Sequence, residues 1–377
     1  MKVLAIPSWF PTEESPVDGI FICEQLKALQ DSGQCTVAAL YHKRTGFGFP
    51  KDYPVNLDES PGFPVFRSSG AALPKLNSSL IDGWTKYYHS LYDQYEEKLG
   101  KPDLIHAHSY IGGFAARRLV EKHQIPLILT EHSSNFLLDN IYFWHKKEIS
   151  LLFKTCSEVI AVSDVLREKM KQFYDGDIHV VPNLVDTDVF KPTPGRVSRE
   201  FTVLVVSSLD PNKMVGLAIE AFAEFRKSFD SGASLIILGD GPLFEPLAEV
   251  VHVLGISNQV KFIERLNPAG VAKLMRNSSV LLNLSSIETF GKVNIEAIAS
   301  GIPVIASFAA DPANIINSEV GVQVDSEVKL IASAISTVAM NYRSYDPIQM
   351  KQYITDRFGK DQVVKQILEV YEKALTV

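Results

Sequence analysis

The segment SSIETFGKVNIEAIASGIPVIAS, residues 285–307, places Glu288 and Glu296 around a predicted turn and the start of a helix. The turn residues are Thr289, Phe290 and Gly291. A helix N-terminus offers unpaired N–H groups and a positive dipole end, which suit a phosphate, and a glycine lets the backbone approach it closely. Carboxylates accept hydrogen bonds from hydroxyls, so we predict that Glu288 binds the hydroxyls of a sugar and that Glu296 binds those of a ribose. Each glutamate alone could be a solvated surface residue; the whole string favours a site.

Lys213 lies in a second segment with a strand–loop–helix pattern, VLVVSSLDPNKMVGLAIEAF, residues 203–222. A cation beside a leaving diphosphate stabilises the charge that grows there as a bond breaks.

A third segment, LIILGDGP, ends a strand in a tight turn with Gly239 and Gly241. These two glycines do not complete a dinucleotide-binding fingerprint, which disfavours a dehydrogenase.

Histidines follow two predicted parallel strands in the first half, within DLIHAHS and LILTEHS. They stand at the carboxyl ends of the strands, where open α/β sheets bind ligands. His132, preceded by Glu131, is an active-site candidate, and for His108 we predict a structural hydrogen bond. His106 and His108 have no cysteine or carboxylate at the spacing of a metal site, so no metal is expected there.

Strand-like and helix-like stretches alternate through most of the 377 residues. That length is too great for one ordinary core and suits two domains. Short apolar runs separated by helices predict an α/β protein with parallel sheets covered on both faces. The alternation restarts after residues 187–200, whose prolines, glycine and mixed charge are typical of a linker. We therefore predict domains at 1–190 and 191–358, and a C-terminal helix at 359–377 that could pack back on the first domain.

Residues 44–79 interrupt the alternation with repeated prolines and glycines. The segment is long for a connection within a compact domain. Two interpretations remain open. It could be a surface meander with a short strand at Val65–Arg67, or a loop on the acceptor side of an enzyme.

Composition limits the class of protein. Hydrophobic residues make up 46% and charged residues 21%, which is a globular balance, and a formal net charge of -7 gives nucleic-acid binding no electrostatic support. The three scattered cysteines predict a reducing compartment. The apolar run at the N-terminus is too short for a signal peptide, and none is long enough to span a bilayer. We predict a cytoplasmic protein that could still dock on the inner face of a membrane.

The string E-x-F-G-x-x-x-x-E-A-x-A-x-G-x-P-V-I, which residues 288–305 spell, resembles the signature of retaining GT-B glycosyltransferases of family four. The resemblance covers nearly the whole chain. It implies two Rossmann-like, doubly wound domains facing a central cleft, with the donor on the second domain and the acceptor on the first. It also implies that Glu288 contacts the donor sugar and that Glu296 binds the ribose.

The other segments acquire roles from the same resemblance. Lys213 matches the lysine that pairs with the donor diphosphate, whereas Ser207 and Ser208 stand where the family usually has Gly-Arg. Diphosphate binding would then rest on Lys213 and helix dipoles. The remaining implied roles are a loop around the nucleotide base for Gly239 and Gly241, a place near the donor phosphates for Gly19, and a place near the reacting centre for His132.

The implied activity is transfer of a sugar from a UDP- or GDP-sugar to a glycan or lipid-linked acceptor, with retention and without a metal or other cofactor. The bacterial members that PSWFPTEESPVDGIF resembles build cell-surface polysaccharide or glycolipid. Two alternatives stay open. A nucleotide-sugar epimerase would share the scaffold but is not expected to carry the Glu288–Glu296 string. A sugar-binding protein without enzymatic activity should carry an export signal.

Overall fold

The computed structural model of the chain describes residues 1–44, 54–70, 78–193, 200–228 and 232–376, with only the backbone at 78–83. The described residues form two compact units. Met1–Leu184 together with Val363–Val377 form the N-terminal unit, and Val185–Gln362 form the C-terminal unit. Both are alternating α/β structures, as predicted.

The elements of the N-terminal unit are, in chain order, β1 (Lys2–Pro7), α1 (Ile20–Asp31), β2 (Thr36–Arg44), β3 (Asn56–Asp58), β4 (Val65–Gly70), α2 (Ser78–Leu99), β5 (Leu104–His108), α3 (Ser109–His123), β6 (Leu127–Glu131), α4 (Phe143–Thr155), β7 (Glu158–Ala161), α5 (Asp164–Met170) and β8 (His179–Val180). The C-terminal unit continues with β9 (Thr202–Val206), α6 (Val215–Ser228), β10 (Ser234–Leu238), α7 (Phe244–Val253), β11 (Val260–Ile263), α8 (Pro268–Arg276), β12 (Val280–Asn283), α9 (Lys292–Ala299), β13 (Val304–Ser307), β14 (Gly321–Val324), α10 (Val328–Met340) and α11 (Pro347–Phe358). The last helix is α12 (Lys360–Leu375).

The two sheets share one strand order. The first runs β3-β4-β2-β1-β5-β6-β7-β8, parallel except for the antiparallel pair of β3 with β4, and the second runs β11-β10-β9-β12-β13-β14, parallel throughout. Without its edge strands β3 and β8, the first sheet has the doubly wound order 3-2-1-4-5-6 of Rossmann folds, and so does the second. The order reverses between β1 and β5 and between β9 and β12. Outside the carboxyl ends of those strands, helices on opposite faces leave a crevice.

The central strands are buried because both of their faces are covered. Every residue of β5 and β6 is buried, including the polar ones, and so is every residue of β12 and β13. Helix α12 completes the N-terminal core, to which it contributes Val363, Ile367 and Tyr371 among others. A separate apolar core lies between α6, α10 and the second sheet.

The unit boundary lies between Leu184 and Val185 rather than after residue 190. Val185 donates its backbone N–H to Phe358 O at 2.9 Å, and the ring of Phe190 lies 6.0 Å from Lys292 Nζ. These contacts tie residues 185–190 to the C-terminal unit. Part of the expected linker, residues 194–199, lies outside the described residues.

Several elements differ from the sequence predictions. The pattern did not predict β3, β14, α10 or α11. In the long segment at 44–79, β4 is a full member of the sheet, paired in parallel with β2. Residues 45–53 and 71–77 of that segment lie outside the described part of the chain. No helix among the described residues combines the length and apolar composition of a membrane span.

Candidate active site

Lys213 and Glu288 meet at the switch point of the second sheet. Lys213 ends a short 3-10 turn in the loop after β9, and Glu288 lies in the loop after β12, the neighbouring strand. Ser286 N–H donates to Asn212 O at 2.8 Å and so joins the two loops. Lys213 Nζ donates to Glu288 Oε1 at 2.5 Å, and each side chain is 19% exposed. The pair is thus shielded from bulk water yet reachable by a ligand.

Helix α9 begins beside this pair. Its N-cap, Gly291, has φ 86°, and a Cβ there would lie 2.7 Å from Ala310 O, so the position requires glycine. No side chain caps the helix among the described residues, which leaves its N-terminal end suited to an anion. Glu296 lies one turn into the helix, where Lys292 donates to it, and its side chain is 14% exposed.

A buried hydrogen-bond network positions the loop between β12 and α9. Asn283 Nδ2 donates to Asn294 Oδ1 at 2.9 Å, and Asn294 Nδ2 donates to Ala310 O at 2.9 Å. Ser285 Oγ donates to Asn283 Oδ1, and Ser307 Oγ donates to Ser285 O at 2.8 Å. None of these residues was predicted from the sequence to belong to the site. Their signal was a polar residue, Asn294, on the apolar face of a short helix.

Phe290 does not present its ring to a ligand. The ring is 1% exposed and makes an edge contact with Phe358, 5.7 Å between centroids. It anchors the turn, so only its backbone could contact a donor. Thr289, beside it, is half-buried.

Gly239 and Gly241 bring the loop after β10 against the loop after β9. A Cβ at Gly239 would lie 1.8 Å from Ser207 O, and one at Gly241 would lie 2.8 Å from Leu209 N. Leu209 N–H donates to Asp240 O at 2.7 Å. Both glycines are therefore required by the fold itself, and any role with a nucleotide is additional.

Ser207 and Ser208, which stand where an arginine was expected, are half-buried. The Ser207 hydroxyl has no hydrogen-bond partner in the described part of the chain. Arg265, a candidate to replace the arginine, donates to Asp240, and its side chain is 45% exposed. Lys213 is the cation that the fold brings to Glu288.

In the N-terminal unit, three imidazoles lie at the carboxyl ends of β5 and β6. His108 Nδ1 lies 3.2 Å from His132 Nε2, which gives His108 the kind of hydrogen bond expected for it. His106 bridges Tyr371 Oη at 2.7 Å and Thr130 Oγ1 at 2.8 Å. His132 Nδ1 is buried without a partner among the described residues. The ring of Phe21 lies 4.9 Å from that of His132.

Burial keeps these imidazoles neutral. It lowers the pKa of His106 and of His132 to about 3. It also lowers the pKa of His108 well below the ordinary value, with a further contribution from the neighbouring His106 and His132. His132 can therefore donate or accept one hydrogen bond at Nδ1 but carries no charge at neutral pH.

Glu131 is fully buried and ties three segments together. Its carboxylate accepts hydrogen bonds from Ser109 Oγ at 2.9 Å, Tyr110 N at 2.8 Å, His132 N at 2.8 Å and Ser133 N at 2.7 Å. Burial raises its pKa to about 7, against the opposing effect of these donors. From the sequence, Glu131 was predicted no role beyond its place before His132. Through these hydrogen bonds Glu131 connects the start of α3 to the segment after β6.

Gly19 is the left-handed N-cap of α1, with φ 66°. A Cβ at this position would lie 2.3 Å from Trp9 O. The close approach of the segment after β1 explains the glycine without a ligand. A role near donor phosphates remains a prediction.

No group of three or more histidine, cysteine, aspartate or glutamate side chains with the geometry of a metal site occurs among the described residues. Asp186, in one of the chain's two D-x-D strings, accepts from the N–H of Asp188 at 3.0 Å and pairs with Lys360 at 2.7 Å. It therefore acts as a turn residue.

Comparisons with known proteins assign the chain to a family. Residues 186–354 match the glycosyl transferases group 1, and residues 28–189 match glycosyltransferase family 4. An uncharacterized glycosyltransferase of Methanocaldococcus jannaschii is 26% identical over 313 residues, which are 75% of this chain and 80% of that protein. A protein described as a glycosyltransferase of teichuronic acid biosynthesis, TuaC of Bacillus subtilis, is 27% identical over 338 residues, 81% of each chain.

Two solved structures share the fold. Sucrose-phosphate synthase from Thermosynechococcus elongatus matches with a TM-score of 0.80 and 18% identity, covering 100% of both chains. Anabaena Alr3699/HepE, solved in complex with UDP and glucose, matches with a TM-score of 0.75 and 20% identity, covering 99% of both. The two family matches, the glycosyltransferase relatives and this architecture establish that the chain is a hexosyltransferase of the family 4 glycosyltransferases with the GT-B fold.

Proposed function

We propose that the enzyme moves a sugar from a UDP- or GDP-sugar to a saccharide or lipid-linked acceptor, with retention of anomeric configuration. The Lys213–Glu288 pair at the switch point of the second sheet carries this proposal. The ammonium group of Lys213 can form an ion pair with the donor diphosphate, and the carboxylate of Glu288 can accept a hydrogen bond from a sugar hydroxyl. The pair can therefore contact both the sugar and the phosphate that the broken bond joins. The UDP and glucose bound to Alr3699/HepE support a UDP-sugar as donor.

The transfer breaks the bond between C1 of the sugar and the β-phosphate oxygen. The acceptor oxygen forms its bond to C1 on the same face, and its proton passes to the leaving phosphate, which departs as nucleoside diphosphate. Charge grows on that phosphate in the transition state, where Lys213 and the N-terminal end of α9 stabilise it. Glu288 holds the sugar, and Glu296 accepts hydrogen bonds from the ribose. No metal or other cofactor is part of the proposal.

The N-terminal unit contributes His132. Its neutral imidazole suits a sugar hydroxyl, because an uncharged N–H can donate to oxygen without attracting a diphosphate. His108 fixes the ring through the hydrogen bond to Nε2 and leaves Nδ1 for the ligand. His132 is therefore assigned to a hydroxyl near the reacting centre.

We place the enzyme in the cytoplasm, where nucleotide sugars are available. The relation to a protein of teichuronic acid biosynthesis supports a growing polysaccharide or a lipid-linked glycan as acceptor. The comparisons give no support to a nucleotide-sugar epimerase.

Incubation with UDP- and GDP-sugars, with and without saccharide and lipid-linked acceptors, tests the proposal. We expect nucleoside diphosphate release that depends on the acceptor, and an α-linked product from an α-linked donor by NMR. Glu288→Gln should abolish most of that release, whereas Glu249→Gln, an exposed helical glutamate, should not. A β-linked product would overturn retention, and conversion of the donor to an isomer without acceptor would overturn transfer.

A further inference from the structure

Helix α4 has two faces, and the inner one is fully occupied. Ile149, Leu152 and Phe153 are buried in the core. Arg117 of α3, 3% exposed, holds α4 through an ion pair with Glu148 at 2.6 Å. A Cβ at Gly113 of α3 would lie 2.5 Å from Leu152, so α3 and α4 are closely packed there. Helix α4 is therefore well packed on its inner face, and poor packing does not explain why its outer face is exposed.

The outer face and the loop before it expose large apolar side chains. The exposed fractions are 83% for Phe143, 49% for Leu138, 43% for Leu151, 39% for Tyr142 and 37% for Trp144. The rings of Tyr142 and Trp144 stack with their centroids 5.4 Å apart. Single exposed apolar residues are ordinary on protein surfaces, but a group this large marks an interaction site.

Lysines lie among these apolar side chains. At about 100° per residue, Lys147 and Lys154 project between Phe143 and Leu151, with Lys146 at the edge of the same face. All three are exposed, and no ion-pair partner for them occurs within the part of the chain that the structure describes. A chain with a formal net charge of -7 thus carries an apolar, cationic face on one helix. Aromatic rings with lysines are typical of helices that lie in the interface of a lipid bilayer.

The chain brings this face to the ligand edge of the first sheet. His132 follows the carboxyl end of β6, and the segment after it leads to the N-terminus of α4. In a parallel α/β unit, a helix starts at the edge where the preceding strand ends. Tyr142, Phe143 and Trp144 therefore stand at the same edge as His132.

We propose that the outer face of α4, with Leu138 and Tyr142, docks the enzyme on an anionic lipid bilayer. The rings enter the headgroup region, and the three lysines meet the lipid phosphates. The inference deepens the proposed function, on whose lipid-linked acceptor it rests, because docking would present such an acceptor at the edge that carries His132. Charge complementarity favours a bilayer over a second copy of this acidic chain.

Co-sedimentation with vesicles tests the proposal, with phosphatidylcholine vesicles made with and without phosphatidylglycerol. We expect the full chain to bind the anionic vesicles. Lys147→Gln combined with Lys154→Gln should weaken that binding about 25-fold, since each basic residue near an anionic surface contributes roughly fivefold. Phe143→Ala combined with Trp144→Ala should weaken it at least about tenfold.

Two matched variants separate the helix from general effects. Lys329→Gln with Lys365→Gln makes the same change in net charge on exposed helical positions elsewhere, and Val253→Ala with Leu254→Ala removes exposed apolar groups at the C-terminal end of α7. Neither should change binding. Absence of wild-type binding, or equal losses in the control variants, would overturn the proposal. So would a dimer in light scattering that becomes monomeric in Phe143→Ala with Trp144→Ala.

Binding of UDP and of GDP, followed by thermal shift, keeps this result separate from the donor assignment. The α4 variants should bind these nucleotides as the wild type does. Vesicle binding without binding of either nucleotide would refute the proposed donor while supporting the docking face. Nucleotide binding without vesicle binding would support the donor and refute the docking face.

Discussion

The two units have the same strand order but opposite chemistry at their ligand edges. In the C-terminal unit the edge carries partly exposed ion pairs, Lys213 with Glu288 and Lys292 with Glu296. In the N-terminal unit it carries buried, neutral imidazoles and one buried carboxyl group. A charged diphosphate suits the first edge and an uncharged hydroxyl the second. The fold therefore sets where ligands bind, and the residues after each strand set which ligand.

The largest expected difference between the units is their stability in acid. The folded N-terminal unit holds four histidines, His42, His106, His108 and His132, whose pKa lies far below 6.5, so protonating them on unfolding becomes favourable as the pH falls. This contribution to the free energy of unfolding is present above about pH 6.5 and is lost toward pH 3, and it is on the order of several kcal/mol for His106 and for His132. Glu131 acts the other way, since its raised pKa adds stability as the pH falls from about 7 to 4.5. The lowered pKa values of the four histidines outweigh the raised pKa of Glu131, so we expect this unit to unfold first.

Tryptophan fluorescence can follow this unit alone, because Trp9, Trp84 and Trp144 are the three tryptophans of the chain. The red shift of their emission should precede, at higher pH, the midpoint of circular dichroism for the whole chain. His106→Gln should move the emission transition to lower pH, and His252→Gln, exposed in the C-terminal unit, should not. Coincident transitions would contradict a difference between the units.

The next largest effect is expected for Lys213→Ala. Loss of this cation should lower kcat by roughly 10²–10³-fold with a smaller change in KM, because the leaving group's charge is greatest in the transition state. Arg265→Ala should be mild, since Arg265 donates to Asp240 and is 45% exposed. Steady-state kinetics on folded variants decide the matter. A fully active Lys213→Ala enzyme would show that the lysine has no part in the mechanism. A large loss of kcat in Arg265→Ala would instead assign the stabilisation of the diphosphate to Arg265.

Glu296→Ala should weaken binding of the free nucleoside diphosphate by roughly 1.5–3 kcal/mol, the contribution of a hydrogen bond to a charged group. Isothermal titration calorimetry measures this directly. Glu249→Ala on α7 is the matched exposed glutamate and should leave the affinity unchanged. Equal affinities for wild type and Glu296→Ala would refute the ribose assignment.

The smallest effect is expected from chelation. EDTA should leave activity largely intact, because Lys213 and the N-terminal end of α9 can meet the charge that a metal would otherwise neutralise. The assay is donor consumption before and after dialysis against EDTA. Loss of activity that manganese or magnesium restores would show that the C-terminal edge needs a metal.

Much of the fold followed from the sequence because apolar periodicity is strong in a sheet covered on both faces. The strand–loop–helix pattern of residues 203–222 is observed as β9, Thr202–Val206, and α6, Val215–Ser228, and the strand before Gly239 is observed as β10, Ser234–Leu238. Helix α10, VKLIASAISTVAM, was missed since small and β-branched residues obscure its period. Strand β14 was missed because four residues, GVQV, give too short a pattern.

The site was predictable in its residue types but not in its pairings. Spacing pointed to Glu288 and Lys213 separately, whereas their 2.5 Å contact depends on two strands that are adjacent in the sheet and distant in the chain. Gly19 and Gly239 illustrate the same limit. Each was assigned to a ligand, and each is already required by a carbonyl of the fold, Trp9 O or Ser207 O.

Helix α12 makes the N-terminal unit discontinuous in the chain, and this bears on the order of events during synthesis. On the ribosome, residues 185–362 emerge as a continuous stretch that can fold as soon as it is complete. The unit that emerged earlier still lacks Ile367 and Tyr371, the latter being the hydrogen-bond partner of His106 Nδ1. The half of the enzyme that is translated first is therefore completed only after the second half has been made, and until α12 emerges its incomplete core is an apolar surface of the kind that chaperones bind.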